Sequence, residues 1–173
     1  MAINSSAPVL AVKPAGRMNP KTMKVLFAVD GSASSRASGE FLASLPFPDS
    51  AELTLLNVVS SSFSDVPERF ALEINDGIKE VVAKAREREL AESEKIIEQA
   101  RAPLRKRFKN ISALSKVGDP SAEILNSAEA MEADMIAVGC RGLKGVKGVM
   151  GSVSRNVLTH SRCSVLIGKS CHD

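Results

Sequence analysis

The stretch Met135-Ile-Ala-Val-Gly-Cys-Arg-Gly-Leu-Lys-Gly-Val-Lys-Gly-Val-Met-Gly-Ser-Val-Ser-Arg155 decides how this chain is read. Met135 to Val138 has the length and composition of a buried strand. A glycine-rich loop bearing Arg141, Lys144 and Lys147 follows. Gly151-Ser152 then opens a pattern, Val153, Val157 and Leu158, with helical spacing. Strand, glycine loop, helix start is an arrangement that turns backbone N–H groups and a positive helix end toward a phosphate.

Outward from this stretch, short apolar runs alternate with helical patterns. Lys24 to Val29 is a continuous apolar run, as in a strand covered on both faces, and it ends at Asp30-Gly31-Ser32. Ser32 or Ser34 caps a helix that runs to about Leu45, with Ala37, Phe41 and Leu42 on its inner face, and Pro46-Phe47-Pro48 stops it. Leu53 to Val59 is a second buried strand. Ser60 to Pro67 is a polar, turn-rich loop. A long amphipathic helix is expected from about Leu72 to Ala102, carrying Ile74, Ile78, Val82, Ile96 and Ile97, and Pro103 disturbs its end. Arg101, Arg105, Lys106, Arg107 and Lys109 gather there as cations solvated near a helix C-terminus.

Ile111 to Val117 alternates in polarity and predicts a less buried strand nearer a sheet edge. Asp119-Pro120 is a helix start, with Asp119 as N-cap, and Ile124, Leu125 and Ala128 fill the inner face. Ser164 to Gly168 is the last strand. Residues 1–22, with Pro8, Pro14 and Pro20 and no periodicity, read as a flexible leader; residues 23–169 form one domain and 170–173 a tail. The alternation defines an α/β domain, an open parallel sheet that is doubly wound with helices on both faces. Ligands of such sheets bind beyond the carboxyl ends of strands, where strand order reverses. Asp30 and the Gly139 loop share one crevice only if the first and fourth of these strands are neighbours.

Composition excludes several classes. A net charge of +3 with no Trp or Tyr argues against a nucleic-acid surface. Cys140, Cys163 and Cys171 show neither CxxC nor Cys/His spacing, and His160 and His172 make no metal pair, so no metal site is expected and a reducing, cytoplasmic setting is. No apolar run approaches the ~18 residues of a membrane span, and Ala7 to Val12 is a poor signal peptide. Gly168-Lys169-Ser170 echoes the end of a P-loop, but Cys163 stands where its first glycine belongs. The first strand leads into Val-Asp-Gly-Ser rather than a dinucleotide fingerprint.

Val29-Asp30-Gly31-Ser32, Gly118-Asp119-Pro120 and Gly139-Cys-Arg-Gly142 followed by Gly151-Ser152 together resemble the universal stress protein family, from Lys24 to Lys169. The resemblance implies a five-stranded parallel sheet of order 3-2-1-4-5. It implies a site for ATP, or for ADP or AMP, with or without Mg2+. Phosphates would lie against Gly139, Arg141, Gly142, Gly151, Ser152 and Val153, and the nucleoside near Ala28, Val29, Asp30 and Val58. Ser152 would donate a hydroxyl and Asp30 would accept from a ribose hydroxyl or the adenine amine. It also implies a homodimer through the Ser164–Gly168 edge and a role in the stress response.

Eight residues separate Gly142 from Gly151, one fewer than the family's ATP-binding pattern, and Gly145 and Gly148 within the spacer can absorb the difference. The loop offers cations but no carboxylate, histidine or glutamine to orient a water, so a binding and sensing module with slow hydrolysis at most, and no catalytic residue, is expected. The competing expectation is a nucleotide-independent homodimer acting through a protein partner not named by the sequence. A redox role for Cys140, beside Arg141, is a third.

Overall fold

The structure, a computed structural model, describes residues 8–13, 22–60, 76–141 and 150–168. In chain order its elements are β1 (Val9–Ala11), β2 (Lys24–Ala28), α1 (Ala33–Ser44), β3 (Glu52–Val59), α2 (Asp76–Leu104), β4 (Asn110–Val117), α3 (Pro120–Ala130), β5 (Met135–Gly139), α4 (Ser152–His160) and β6 (Ser164–Gly168). The expected first turn from Leu72, the Ile74 and Ile78 side chains, the loop glycines Gly142, Gly145 and Gly148, Lys144, Lys147 and the tail from Lys169 lie outside the described residues.

β2 to β6 form the parallel, doubly wound sheet, in the order β6-β5-β2-β3-β4. Numbering these five strands along the chain gives 3-2-1-4-5, the expected topology. Within each strand successive side chains alternate between faces, and both faces are covered. Val25 and Phe27 of β2 join Leu42, Leu53, Leu55, Ile97 and Leu104 in the layer beneath α1 and α2. Leu26 joins Leu56, Ile124, Ile136, Val157 and Val165 beneath α3 and α4. Leu26, Leu42, Leu55, Leu56 and Ile136 are fully buried, and each such side chain contributes roughly 1.5–3 kcal/mol.

α1 buries the expected Leu42, with Phe41 half-buried against the same layer, but most of its buried face is small and polar. Ser34, Ser35, Ser38 and Gly39 are buried alongside Leu42. Small residues let the helix lie directly on β5 and β6. The Ser38 hydroxyl donates to Ser34 O at 2.7 Å and to Val138 O at 3.2 Å, and a Cβ at Gly168 would come within 2.5 Å of Ser38 Cα. Gly168, which in sequence echoed a P-loop, is a glycine because α1 packs on it.

Two expectations are corrected. The leader is not structureless throughout, because Val9–Ala11 forms a strand. It runs antiparallel along β6 with Val9 opposite Ile167, Leu10 opposite Leu166 and Ala11 opposite Val165. The Ser164–Gly168 edge is therefore not open: its outer backbone groups already pair within the same chain. Three residues are too few to show periodicity, and the surrounding prolines hid them. Lys13 anchors the strand. Its ammonium donates to Leu158 O at 2.9 Å and Ser161 O at 2.6 Å, satisfying the carbonyl end of α4.

α2 runs through Pro103 to Leu104, with the proline in the final turn, and Phe108 N then donates to Leu104 O at 2.9 Å. The cations after it are paired at the surface: Arg105 with Glu98, and Lys109 with Asp49 at 3.0 Å. Arg107 donates to Leu45 O. β4, at the far edge, is exposed over most of its length as its alternation predicts.

Candidate functional site

Because β2 and β5 are parallel neighbours, with Val25 opposite Met135 and Phe27 opposite Ala137, the segments after them emerge side by side at the switch of strand order. Asp30-Gly31-Ser32 and Gly139-Cys140-Arg141 thus meet. Gly31 adopts φ +75°, a left-handed turn that a side chain would strain. That turn folds Asp30 back so that Oδ1 accepts from Ser32 N at 3.0 Å.

Ser32 holds both sides of the crevice. Its hydroxyl caps α1 by accepting from Ser35 N at 3.1 Å, and it donates to Arg141 O at 3.2 Å. On the β5 side, Cys140 N donates to Gly168 O at 2.7 Å and Gly151 N to Cys140 O at 2.9 Å. Ser154, buried one turn into α4, donates to Gly139 O at 2.5 Å and also reaches Cys140 O. The backbone before and after the loop is thereby fastened to the first residues of α1 and α4. Both helices direct their amino ends, with N–H groups free of helical partners, toward this end of the sheet.

Gly139 is required for packing: an added Cβ would sit 2.9 Å from Ser35 N and 3.1 Å from Ser34 C. At Gly151 the nearest atom would be Cys140 O at 3.3 Å. Gly151 itself is the N-cap of α4, with no side-chain capping bond, and Ser152 is the first helical residue and exposed. Ser152 therefore does not cap the helix. Arg141 is buried, 7% exposed, rather than projecting as a loop cation.

Ala28, Val58, Cys140, Met150 and Val153 are half-buried and pack on the apolar layer beneath α3 and α4. Val29 belongs to the opposite layer. Its carbonyl accepts from the buried Asn57 amide at 2.7 Å and its N–H donates to Leu56 O at 2.8 Å, so its side chain is core. The structure thus brings together Ala28, Asp30, Val58, Gly139, Arg141, Gly151, Ser152 and Val153, and turns the Val29 side chain away. Gly142 lies outside the described residues.

Ser154 and Asn57 were not singled out by the sequence, whereas Ser32 was read only as a cap of α1 and the end of the Val29–Ser32 motif. Asn57 alone left a signal, a polar residue in the middle of an apolar strand. Among the described residues no three His, Cys, Asp or Glu side chains converge as metal ligands, and no helix is long and apolar enough to cross a membrane.

The model of the universal stress protein family matches residues 21–169. Universal stress protein YxiE of Bacillus subtilis is 34% identical over 154 residues, covering 83% of this chain and 97% of YxiE. Among solved structures, a universal stress protein family protein from Arabidopsis thaliana with AMP bound is 22% identical. It covers 85% of this chain and 91% of its own, with a TM-score of 0.60. A universal stress protein in complex with cAMP is 23% identical, covers 85% and 96%, and has a TM-score of 0.52. At those identities the two structures establish a common fold.

Proposed function

The chain belongs to the universal stress protein family, and from that premise we propose that it binds an adenine nucleotide in the crevice between Asp30 and Ser152. The observation that carries the proposal is the fastening of Asp30-Gly31-Ser32 to Gly139-Cys140-Arg141 at the amino ends of two helices. Such an end is a ready-made phosphate site. The AMP and cAMP held by two proteins of the same fold support the choice of adenine nucleotides as ligand class.

In this proposal Ala28 and Val58 present apolar surface to the base and sugar, and Val153 stays at the phosphate end. The carboxylate of Asp30 keeps one oxygen for a ribose hydroxyl or the adenine amine, the other being held by Ser32 N. The phosphates face Gly139, Gly151, the Ser152 hydroxyl and the α4 amino end, with Gly142 and the buried Arg141 flanking them. Val29 contributes backbone only. ATP, with or without Mg2+, is the proposed form; a metal would be carried on the phosphates and completed by water.

The output is regulatory, a sensing module of the stress response in the cytoplasm, with hydrolysis slow at most. Asp30, tied to the nucleoside end, is poorly placed to orient a water at a terminal phosphate. The free thiols of Cys140 and Cys163 fit a reducing compartment.

Isothermal titration of the purified chain with ATP, ADP, AMP and cAMP tests this directly. Saturable binding by the wild type, lost in Gly151→Val with unchanged circular dichroism, is the expected result. No binding of any of the four would remove the nucleotide from the proposal. A rapid metal-dependent ATPase rate in pure protein would replace the sensing module with an enzyme.

A further inference from the structure

We propose that β1 is an intramolecular guard on the β6 edge, and that its release opens that edge for antiparallel pairing with a second copy of the chain. β6 lies at the end of the parallel sheet, and the backbone groups it turns away from β5 accept an antiparallel strand: β1 does this now, over Val9 to Ala11. A second β6 meets the same demand. About a twofold axis it arrives antiparallel, and its Val165-Leu166-Ile167 core repeats the apolar character of Val9 and Leu10. An unguarded edge of this kind is a pairing template.

The guard is built to be displaced. The three residues of β1 offer little burial: Val9 and Ala11 are only half-buried and Leu10 stays 49% exposed. What holds it is Lys13, whose ammonium contacts Leu158 O, Ser161 O and Ser161 Oγ at the carbonyl end of α4, while Lys13 N lies 3.4 Å from Ser164 Oγ. A charge set against a helix end is weakened by salt. Because the closed form cannot pair and both copies must be open, the apparent dimer dissociation constant rises as the inverse square of the unguarded fraction.

Sedimentation velocity over a broad concentration series, on full-length protein, tests the inference without any nucleotide. Leu10→Pro/Ala11→Pro removes two N–H groups from β1, and Lys13→Ala removes its anchor. Both are expected to dimerise at least about tenfold more tightly than the wild type, a shift well within what one weak strand controls. Ala11→Cys/Val165→Cys places thiols on opposed positions of the β1–β6 pair, within disulfide reach. Oxidised, this variant is expected to stay monomeric where the wild type begins to associate, and to regain association on reduction. Unchanged urea midpoints would show that the core survives in each. Equal dissociation constants in all four proteins would overturn the inference. Loss of a wild-type dimer in the proline variant would overturn it too, because β1 would then be exchanged between copies.

Discussion

The Ser32 hydroxyl donates to the Arg141 carbonyl across 3.2 Å while accepting from Ser35 N. One side chain therefore caps α1 and tethers the loop after β5. The two roles separate by substitution. Ser32→Ala loses both and is expected to cost about 1 kcal/mol of stability in cap alone, whereas Gly at an N-cap costs only a few tenths. Ser32→Gly is thus expected to melt near the wild type and yet bind nucleotide roughly fivefold more weakly, as its loop loses a tether of about 1 kcal/mol. Ser32→Thr keeps both bonds and should restore affinity. Calorimetric titration beside thermal melts reads the split; parallel losses in both would make Ser32 a cap only.

The glycines around the site should fail in a definite order. A Cβ at Gly168 would overlap Ser38, one at Gly139 would press on the backbone of Ser34 and Ser35, and one at Gly151 meets only Cys140 O at 3.3 Å. Alanine at each is expected to destabilise in the order Gly168, Gly139, Gly151, the first by about 3 kcal/mol or more and the last by under about 1 kcal/mol, following the cost of overpacking. Urea unfolding of the three variants measures the series. Gly139→Ala losing nucleotide affinity at wild-type stability would contradict the packing role assigned to it.

Asn57 spans the sheet to the Val29 carbonyl, 2.7 Å away and buried. Removing the amide leaves that carbonyl without its partner, at a cost of about 1–3 kcal/mol. Asn57→Leu is expected to lower the urea midpoint accordingly. Asn57→Asp, which sets an acceptor against an acceptor, should be worse at neutral pH and partly recover in acid as the carboxyl gains a proton. An Asp variant indifferent to pH would show that the amide is not what holds Val29 and, through it, Asp30.

Elements whose residues carried their own signal were legible in advance. β2 and β3 are continuous apolar runs because both sheet faces are covered, and Asp119-Pro120 starts α3 with Asp119 Oδ1 accepting from Ala122 N at 2.8 Å. The strand order came from the family resemblance, and the crevice at the strand switch from asking which two carboxyl ends must meet. What escaped was carried by residues that hydropathy cannot rank. Apart from Leu42, the face α1 buries most fully is serine and glycine, which read as polar. β1 is three residues among prolines, visible only once β6 needs a partner. The N-cap of α4 is Gly151, which offers no side chain to betray the role. Gly139 was read for its place at a phosphate, but its missing Cβ also makes room for α1, a helix more than ninety residues earlier in the chain.

Cys163 adds a pH dependence whose sign follows from its surroundings. Burial pushes the thiol above its ordinary range, against smaller opposing effects of its backbone hydrogen bonding and the Lys13 ammonium. Above the ordinary thiol range the unfolded chain has released this proton and the folded chain still holds it. Folding therefore carries an excess bound proton there, and stability falls as pH rises. Below that range both states are protonated and Cys163 contributes no slope. The wild type is expected to lose urea stability relative to Cys163→Ala between neutral pH and about pH 9.5, above the ordinary thiol value, with no such difference between pH 6 and 7. Native alkylation should follow suit, with the Cys163 thiol reacting more slowly than the same thiol in urea at every pH in that interval. A wild type that gains stability relative to the alanine variant as the pH rises would mean that the thiolate, rather than the thiol, is the form the fold prefers.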